Sequence, residues 1–323
     1  MDRTVYCNNK TEIRKEGIKV SFINSFISQT IVYTVVYTLA SLGIVVSGRA
    51  GIFNVASEGI MLASASSGFL TAYLTGNALF GFLAGSLMGA VFGLIIAFVH
   101  EKFKVNQFIL GISLVILGTG LSDLLYKLII GIKLTAPRAP ATPLVKIPLI
   151  SKIPVFSAFL TQDVIVYFMY AASILLWWFY YRTKLGLETR AIGESPKAAD
   201  VVGVNVTKRR YLSTIIGSAL IGIAGAYLPI LITGTYTPDI SAGRGFMAIG
   251  IAIFASWRPE RAILGGFLFA AIEVIAFRLQ VISQRIPYQF LLMLPFILVL
   301  VVMIIFNKQI EFPASVGKPY SRE

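Results

Sequence analysis

The chain has 323 residues, 56% of them hydrophobic and 13% charged, with a mean hydropathy of +0.80. A soluble domain carries about 25% charged residues, so this composition excludes one and predicts an all-α polytopic membrane protein. The formal charge of +13 does not point to nucleic acid, because the basic residues gather at segment ends and not along one face with interleaved aromatics.

Cys7 and His100, each alone of its kind, leave no disulfide framework and no His/Cys metal centre. No usable Walker A, GxSxG, HExxH or GxGxxG pattern occurs. No catalytic residue, metal or cofactor is therefore expected in this chain, and the energy for any transport must come from a gradient or a partner.

In chain order, residues 1–19 read as a polar tail without the layout of a signal peptide. Apolar runs able to cross roughly 30 Å of hydrocarbon follow at 20–46, 58–75, 78–99, 107–130, 164–181, 211–233, 262–282 and 288–306, with a shorter, glycine-containing run at 243–257. About nine transmembrane segments are expected, in a domain covering 20–307. It would include a proline-rich external loop at 131–163 and a basic loop at 182–210, and a C-terminal tail would occupy 308–323.

The stretch Gly48 to Gly68 sets Arg49, Asn54 and Glu58 among apolar and small residues. Ionisable groups embedded in a membrane are costly and tend to mark a pathway. The alternative is local: Glu58 complements the positive end of its own helix with Ser57 as N-cap, and Asn54 is a cap or turn residue. Farther along, Gly81, Gly85, Gly89 and Gly93 form a GxxxG ridge that predicts a close helix crossing. Gly217, Gly222 and Gly225 suggest another, with irregular spacing. Ser64, Ser66, Ser67 and Thr71 read as interhelical or back-bonded hydroxyls. Glu273 and Arg278, five residues apart, read as partners of other helices.

Placing the 182–210 loop in the cytoplasm fixes the other loops by alternation. The loops at 47–57, 100–106, 182–210 and 257–262 and the C-terminal tail then hold 15 Lys+Arg against 5 in the opposing loops, as the positive-inside rule requires. The basic N-terminal tail falls on the wrong side.

Three anchors recur in the same order. Gly59-Ile60-Met61 matches Gly245-Phe246-Met247, Gly81-Phe82-Leu83 matches Gly266-Phe267-Leu268, and Gln107-Phe108-Ile109-Leu110 matches Gln289-Phe290-Leu291-Leu292. Five crossings separate equivalent segments, which predicts an inverted internal repeat with the path near its pseudo-axis. Glu58 then corresponds to Arg244, each directly before a helix-starting glycine; the plainer reading has Arg244 snorkelling to the interface.

Within the basic loop, Ser195, Pro196 and Gly203 supply a hydroxyl N-cap, a first-turn proline and a terminating glycine, predicting a short helix over 196–202. Ala198, Ala199 and Val202 would share its apolar face. A helix this short needs a partner, either the rest of this chain or another protein.

These segments resemble a known family. GRAGIFNVASEGIMLASA is similar to the G-x-x-N-[LI]-G-x-E-G-x-M-L-x-G-A segment of nucleoside and simple-sugar permeases from ABC importers, within the branched-chain amino acid and ribose permease superfamily. RAIGESPKAADVVGVNVTKRR resembles that family's cytoplasmic loop, and GRGFMAIGIAIFASWRPERAILGGFLF its G-x-G-[FY]-x-x-I-A segment. The likeness runs from about residue 40 to 285. Ala56-Ser57 departs from it, standing where the family has a glycine and then a small or apolar residue.

The resemblance implies an importer permease without enzymatic activity. A cytoplasmic ATPase subunit would bind ATP and Mg, a second permease subunit would complete a heterodimer or a homodimer, and an external substrate-binding lipoprotein would deliver nucleosides or sugars. Glu194, Ser195, Pro196, Ala198, Ala199 and Gly203 would couple to the ATPase. Asn54, Glu58, Gly59, Arg244 and Phe246 would lie near the path. A gradient-driven carrier and a purely structural membrane protein are the competing readings.

Overall fold

A computed structural model describes residues 3–131, 137–140, 142, 144–146, 159, 161–282, 287–306 and 311–320. The chain is mostly helical: α1 (Arg3–Arg49), α2 (Ser57–Thr75), α3 (Ala78–Phe103), α4 (Gln107–Ile129), α5 (Val164–Arg182), α6 (Lys184–Glu194), α7 (Pro196–Val201), α8 (Val206–Tyr227), α9 (Arg244–Phe254), α10 (Pro259–Ile282) and α11 (Tyr288–Phe306). Among the described residues, six stretches are long and apolar enough to cross a membrane: Ile23–Arg49, Ala78–Phe103, Gln107–Ile129, Val164–Arg182, Val206–Ile232 and Pro259–Val281. Helices α9 and α11 are apolar but shorter over their described lengths.

Helix α1 begins at Arg3, within the residues read as a polar N-terminal tail. One expectation needs correction: the fold is not purely α, since β1 (Leu144–Lys146) pairs antiparallel with β2 (Thr161–Asp163), inside the segment read as an external loop. Most of the remainder of that loop lies outside the described residues.

Small residues determine how the bundle closes. On α3, Cβ atoms added at Gly81, Gly85, Gly89 and Gly93 would sit 2.6 Å from Gly68 O, 2.6 Å from Ala226 Cβ, 2.2 Å from Ser218 O and 2.7 Å from Thr214 O. Thr214, Ser218, Gly222 and Ala226 recur every four residues on α8, so two small-residue ridges face each other antiparallel. The irregular spacing on α8 has a reason. Gly217 packs on Gly43 of α1, Gly222 on Gly85 of α3 and Gly225 on Met61 of α2, so each glycine serves a different neighbour. Contact this close lets dispersion and weak hydrogen bonds replace the hydrophobic drive that lipid does not supply.

Helix α2 is deeply enclosed; its residues 57–66 are all buried. Three of its four hydroxyls singled out from the sequence behave as read, and the fourth, Ser64 Oγ, is buried without a hydrogen-bond partner among the described residues. Ser66 Oγ donates to Ser122 O of α4 at 2.8 Å, while Ser67 and Thr71 bond back to their own helix. The basic loops meet at one end of the bundle. Arg49 Nε donates to Trp257 O at 2.6 Å, Arg210 pairs with Glu101 at 2.9 Å, and Ser315 Oγ donates to Ile192 O at 2.9 Å.

Candidate functional site

The site is built where two helices begin. After Arg49 the chain turns, then runs non-helically through Ile52 to Asn54 before α2 starts. This connector is held from three sides. Arg210, fully buried, donates from Nε to Ala50 O at 3.1 Å. Gln107 Oε1 accepts from Phe53 N at 2.7 Å, and Gln107 Nε2 lies 2.8 Å from His100 Nε2. Asn54, also fully buried, donates from Nδ2 to Ser218 Oγ at 2.9 Å.

On the other side, α8 runs into a π-type turn at Leu228–Ile232, and a loop then leads to α9. Asp239 and Ala242 adopt left-handed φ angles of 55° and 45° before Gly243 at 81°. Left-handed backbone is disfavoured for residues with a Cβ and is kept where surrounding contacts enforce it. Past the end of α9, Ser256 and Trp257 repeat the pattern at 50° and 57°.

The starts of α2 and α9 meet. The Glu58 carboxylate accepts from Ser241 Oγ at 2.5 Å, Gly243 N at 2.9 Å and Gly245 N at 2.7 Å, and Ser57 Oγ donates to Gly245 O at 2.9 Å. Glu58 thus satisfies the free N–H groups and positive dipole end of α9, as well as lying in the first turn of α2. The local reading of this segment is corrected accordingly. Ser57 is not an N-cap; Ala56 holds that position and makes no side-chain cap bond.

Arg244 does not reach for an interface. It forms a 2.5 Å ion pair with Glu273 of α10, whose second oxygen accepts from Tyr37 Oη at 2.7 Å. A cavity of about 180 Å³ opens beside this group, lined in part by Met247, Phe277 and Phe296. Gly59 gives α4 close passage, with Leu114 O 2.5 Å from where its Cβ would stand. Phe246 is 47% exposed and points away from the junction's buried groups. Arg278 lies over Phe26 at 5.2 Å and donates to Ser25 Oγ at 3.1 Å, so both residues partner other helices, Glu273 with α9 and α1 and Arg278 with α1.

Toward the opposite end, Tyr236 packs on Tyr126 with ring centroids 4.7 Å apart and shares a 2.5 Å hydrogen bond with Ser122. With Phe69 these rings close the bundle above α2.

The 182–210 loop folds as two helices. Ser195 Oγ accepts from Ala198 N, Pro196 opens α7, and Gly203 follows at φ +87°, as the sequence predicts. The expected apolar face is split. Ala199 turns inward against Ile192, Val206 and Tyr320, whereas Ala198, Val201 and Val202 face outward, the two valines 87% and 77% exposed. A groove of about 600 Å³ runs beside them, bounded by Leu187, Glu188 and Lys208 among others. Glu194, also exposed, accepts from Ala314 N at 3.4 Å.

Sequence reasoning missed α6 and the docking of the C-terminal segment. Ser315 donates to the Ile192 and Gly193 carbonyls, Gly317 N donates to Gly51 O at 3.3 Å, and Lys104 Nζ reaches the Tyr320 carbonyl. The tail ties the α6–α7 arm to the α1–α2 connector. The Ser-Val-Gly turn at 315–317 was its only local sign.

A family model described as "Branched-chain amino acid transport system / permease component" matches residues 26–304. The chain belongs to this permease family. The permease is therefore a multi-pass membrane protein. It is 37% identical over 245 residues to the "Putative glucose ABC transporter permease protein TsgC13" of Haloferax volcanii, covering 76% of this chain and 74% of the relative. It is 30% identical to a guanosine ABC transporter permease protein of Bacillus subtilis, over 87% of this chain and 92% of the relative. Identity is also 30% to a nucleoside ABC transporter permease protein of Lactococcus lactis subsp. cremoris, over 87% and 91%.

Proposed function

We propose that this permease is a membrane-spanning subunit of an ATP-binding cassette importer that passes nucleosides, purine nucleosides first among them, or related simple sugars into a prokaryotic cell. The observation that carries this reading is the outward apolar patch of Ala198, Val201 and Val202 on a capped helix at the basic end of the bundle. An apolar surface on a short, well-anchored helix is suited to seating in another protein. Family membership and the relatives' printed roles support reading that protein as an ATPase subunit, which would hold ATP and Mg.

In this reading the basic end faces the cytoplasm, α2, α9 and α11 complete nine crossings, and the two halves form an inverted repeat. The head-to-head meeting of α2 and α9 supports the repeat, since inverted repeats bring their broken helices together near the pseudo-axis. Closure of the ATPase would pull α7. The tail and the connector would carry that motion to the Glu58 junction, and the halves would rearrange to switch access. A second permease subunit and an external substrate-binding lipoprotein complete the assembly, and no bond chemistry falls to this chain.

The gradient-driven alternative needs an embedded acid free to bind a coupling ion. Glu58, Glu101, Asp163 and Glu273 are each engaged by partners within the chain, which favours the importer. Proteoliposomes holding the full complex test the proposal with labelled guanosine and labelled glucose. Uptake of either that requires ATP and survives collapse of ion gradients is expected. Uptake that follows a gradient without ATP would refute it. Ala198→Arg should abolish uptake without preventing insertion.

A further inference from the structure

We infer that His100 is a pH-sensitive latch on the connector between α1 and α2, acting through Gln107. The Phe53 N–H of the connector can only donate, so the Gln107 atom that meets it at 2.7 Å is the amide oxygen. That orientation turns the Gln107 amide nitrogen toward His100 Nε2, 2.8 Å away, and an amide nitrogen is also only a donor. On the other side of the ring, His100 Nδ1 lies 3.0 Å from the Val105 carbonyl, which only accepts. Together these contacts admit one state of the imidazole: neutral, with its proton on Nδ1 and a bare Nε2. Free histidine in water prefers the opposite tautomer, so the site selects this one.

A second proton breaks the chain of bonds wherever it is accommodated. Placed on Nε2, it sets N–H against the Gln107 N–H. Turning the Gln107 amide relieves that contact and sets its nitrogen against the Phe53 N–H instead. Either way a buried donor loses its acceptor, because His100 and Gln107 are 0% and 3% exposed and little water can replace the bond. The connector is the part able to yield: it is non-helical at Phe53, whereas His100 and Gln107 sit in the end turns of α3 and α4. Phe53 directly precedes Asn54, which is bonded to Ser218 of α8, and lies five positions before Glu58. Loosening it therefore disturbs the junction of α2 and α9.

The surroundings keep the step reversible. His100 lies in the last turn of α3, where the helix dipole favours a cation. The adjacent carboxylate, Glu101, is already claimed by Arg210 at 2.9 Å and Lys104 at 3.7 Å, so it is not free to trap an imidazolium. Lys102 points outward, over the Phe98 ring at 5.2 Å. The first turn of α4 and the connector carry no titratable side chain. The latch is a property of this chain alone and does not depend on the solute or on an ATPase.

His100 is the only histidine, so the purified full chain labelled with 15N-histidine tests the latch by NMR without assignment. At about pH 7.5 the ring should be neutral and protonated on Nδ1, and by about pH 5.5 both nitrogens should carry protons. Movement of the connector is read separately. With Trp177 and Trp178 replaced by Phe, the remaining tryptophan is Trp257, whose ring packs on Phe53 at 5.7 Å. Its emission should shift reversibly over the pH range in which His100 charges. The variant His100→Gln offers Gln107 an acceptor that does not titrate, and should abolish the shift. In the full complex, ATP-driven uptake by the parent should fall about tenfold relative to His100→Gln over that range, the factor that one unpaired buried donor carries. An Nε2-protonated or charged ring at neutral pH, a ring still neutral at about pH 5 in the folded protein, or an emission shift that survives His100→Gln would each overturn the inference. The NMR readout needs no variant, so it decides even if His100→Gln does not fold.

Discussion

The Glu58 junction and the α7 arm differ in where their partners are. At the junction the charged groups are answered inside the chain: Glu58 by Ser241, Gly243 and Gly245, and Arg244 by Glu273, which also accepts from Tyr37. On α7 one apolar residue, Ala199, is answered inside, and Val201 and Val202 are not. The difference teaches how each region should respond to change. Disturbing the junction alters the stability of the permease itself, whereas disturbing the outer face of α7 alters only what the permease can engage.

The largest expected effect is at the ion pair. Glu273→Ala strands a buried guanidinium and should cost about 3–5 kcal/mol, read as a fall in the unfolding midpoint in detergent. The paired change Arg244→Met/Glu273→Leu should recover most of that stability, because two apolar residues leave no uncompensated charge. If uptake stays lost when stability returns, the pair serves the path as well as the fold. If the single variant is as stable as the parent, the junction is not the internally satisfied region described.

Next comes the α3–α8 ridge. Gly89→Ala places a Cβ at 2.2 Å from Ser218 O, and such overpacking should cost about 1–3 kcal/mol, measured by thermal unfolding. A neutral result would mean that α3 and α8 are free to separate. Ser315→Ala removes hydroxyl bonds to Ile192 and Gly193 and should cost about 1 kcal/mol. It should also lower ATP-driven uptake, since the arm is then less firmly tied to the connector. The smallest stability change is predicted for Val202→Asp, within about 0.5 kcal/mol of the parent, together with near-complete loss of uptake. A Val202→Asp protein that unfolds early would erase the contrast between the two regions.

How legible these regions were in the sequence follows the same division. The α7 helix could be read because its signals are local: Ser195, Pro196 and Gly203 specify its start and stop within nine residues. The glycine ridge on α3 was legible for the same reason. The head-to-head junction was only half legible. Matching anchors paired Glu58 with Arg244, but the carboxylate reaches past Arg244 to the backbone of Gly243 and Gly245, and no local pattern encodes a bond across 187 positions.

The grip of His100, Gln107 and Arg210 on the connector was invisible for that reason too. So was the docking of Ser315 on the α6 carbonyls. The α6 helix was missed because Gly186 and Gly193, poor helix formers, sit inside it. They are there because the backbones of Phe179 and Arg49 pass within 2.0 and 2.4 Å of where their Cβ atoms would be.

The most direct test of the central claim, that the outer face of α7 is where an ATPase subunit takes hold, is a cross-link. In a Cys7→Ser background, Val202→Cys is compared with Leu74→Cys, which is exposed at the far end of α2, in the purified complex with and without nucleotide. The account predicts a cross-link from position 202 to the ATPase subunit that changes in yield with nucleotide, and none from position 74. Cross-linking from position 74, or none from 202 in an active complex, would contradict it.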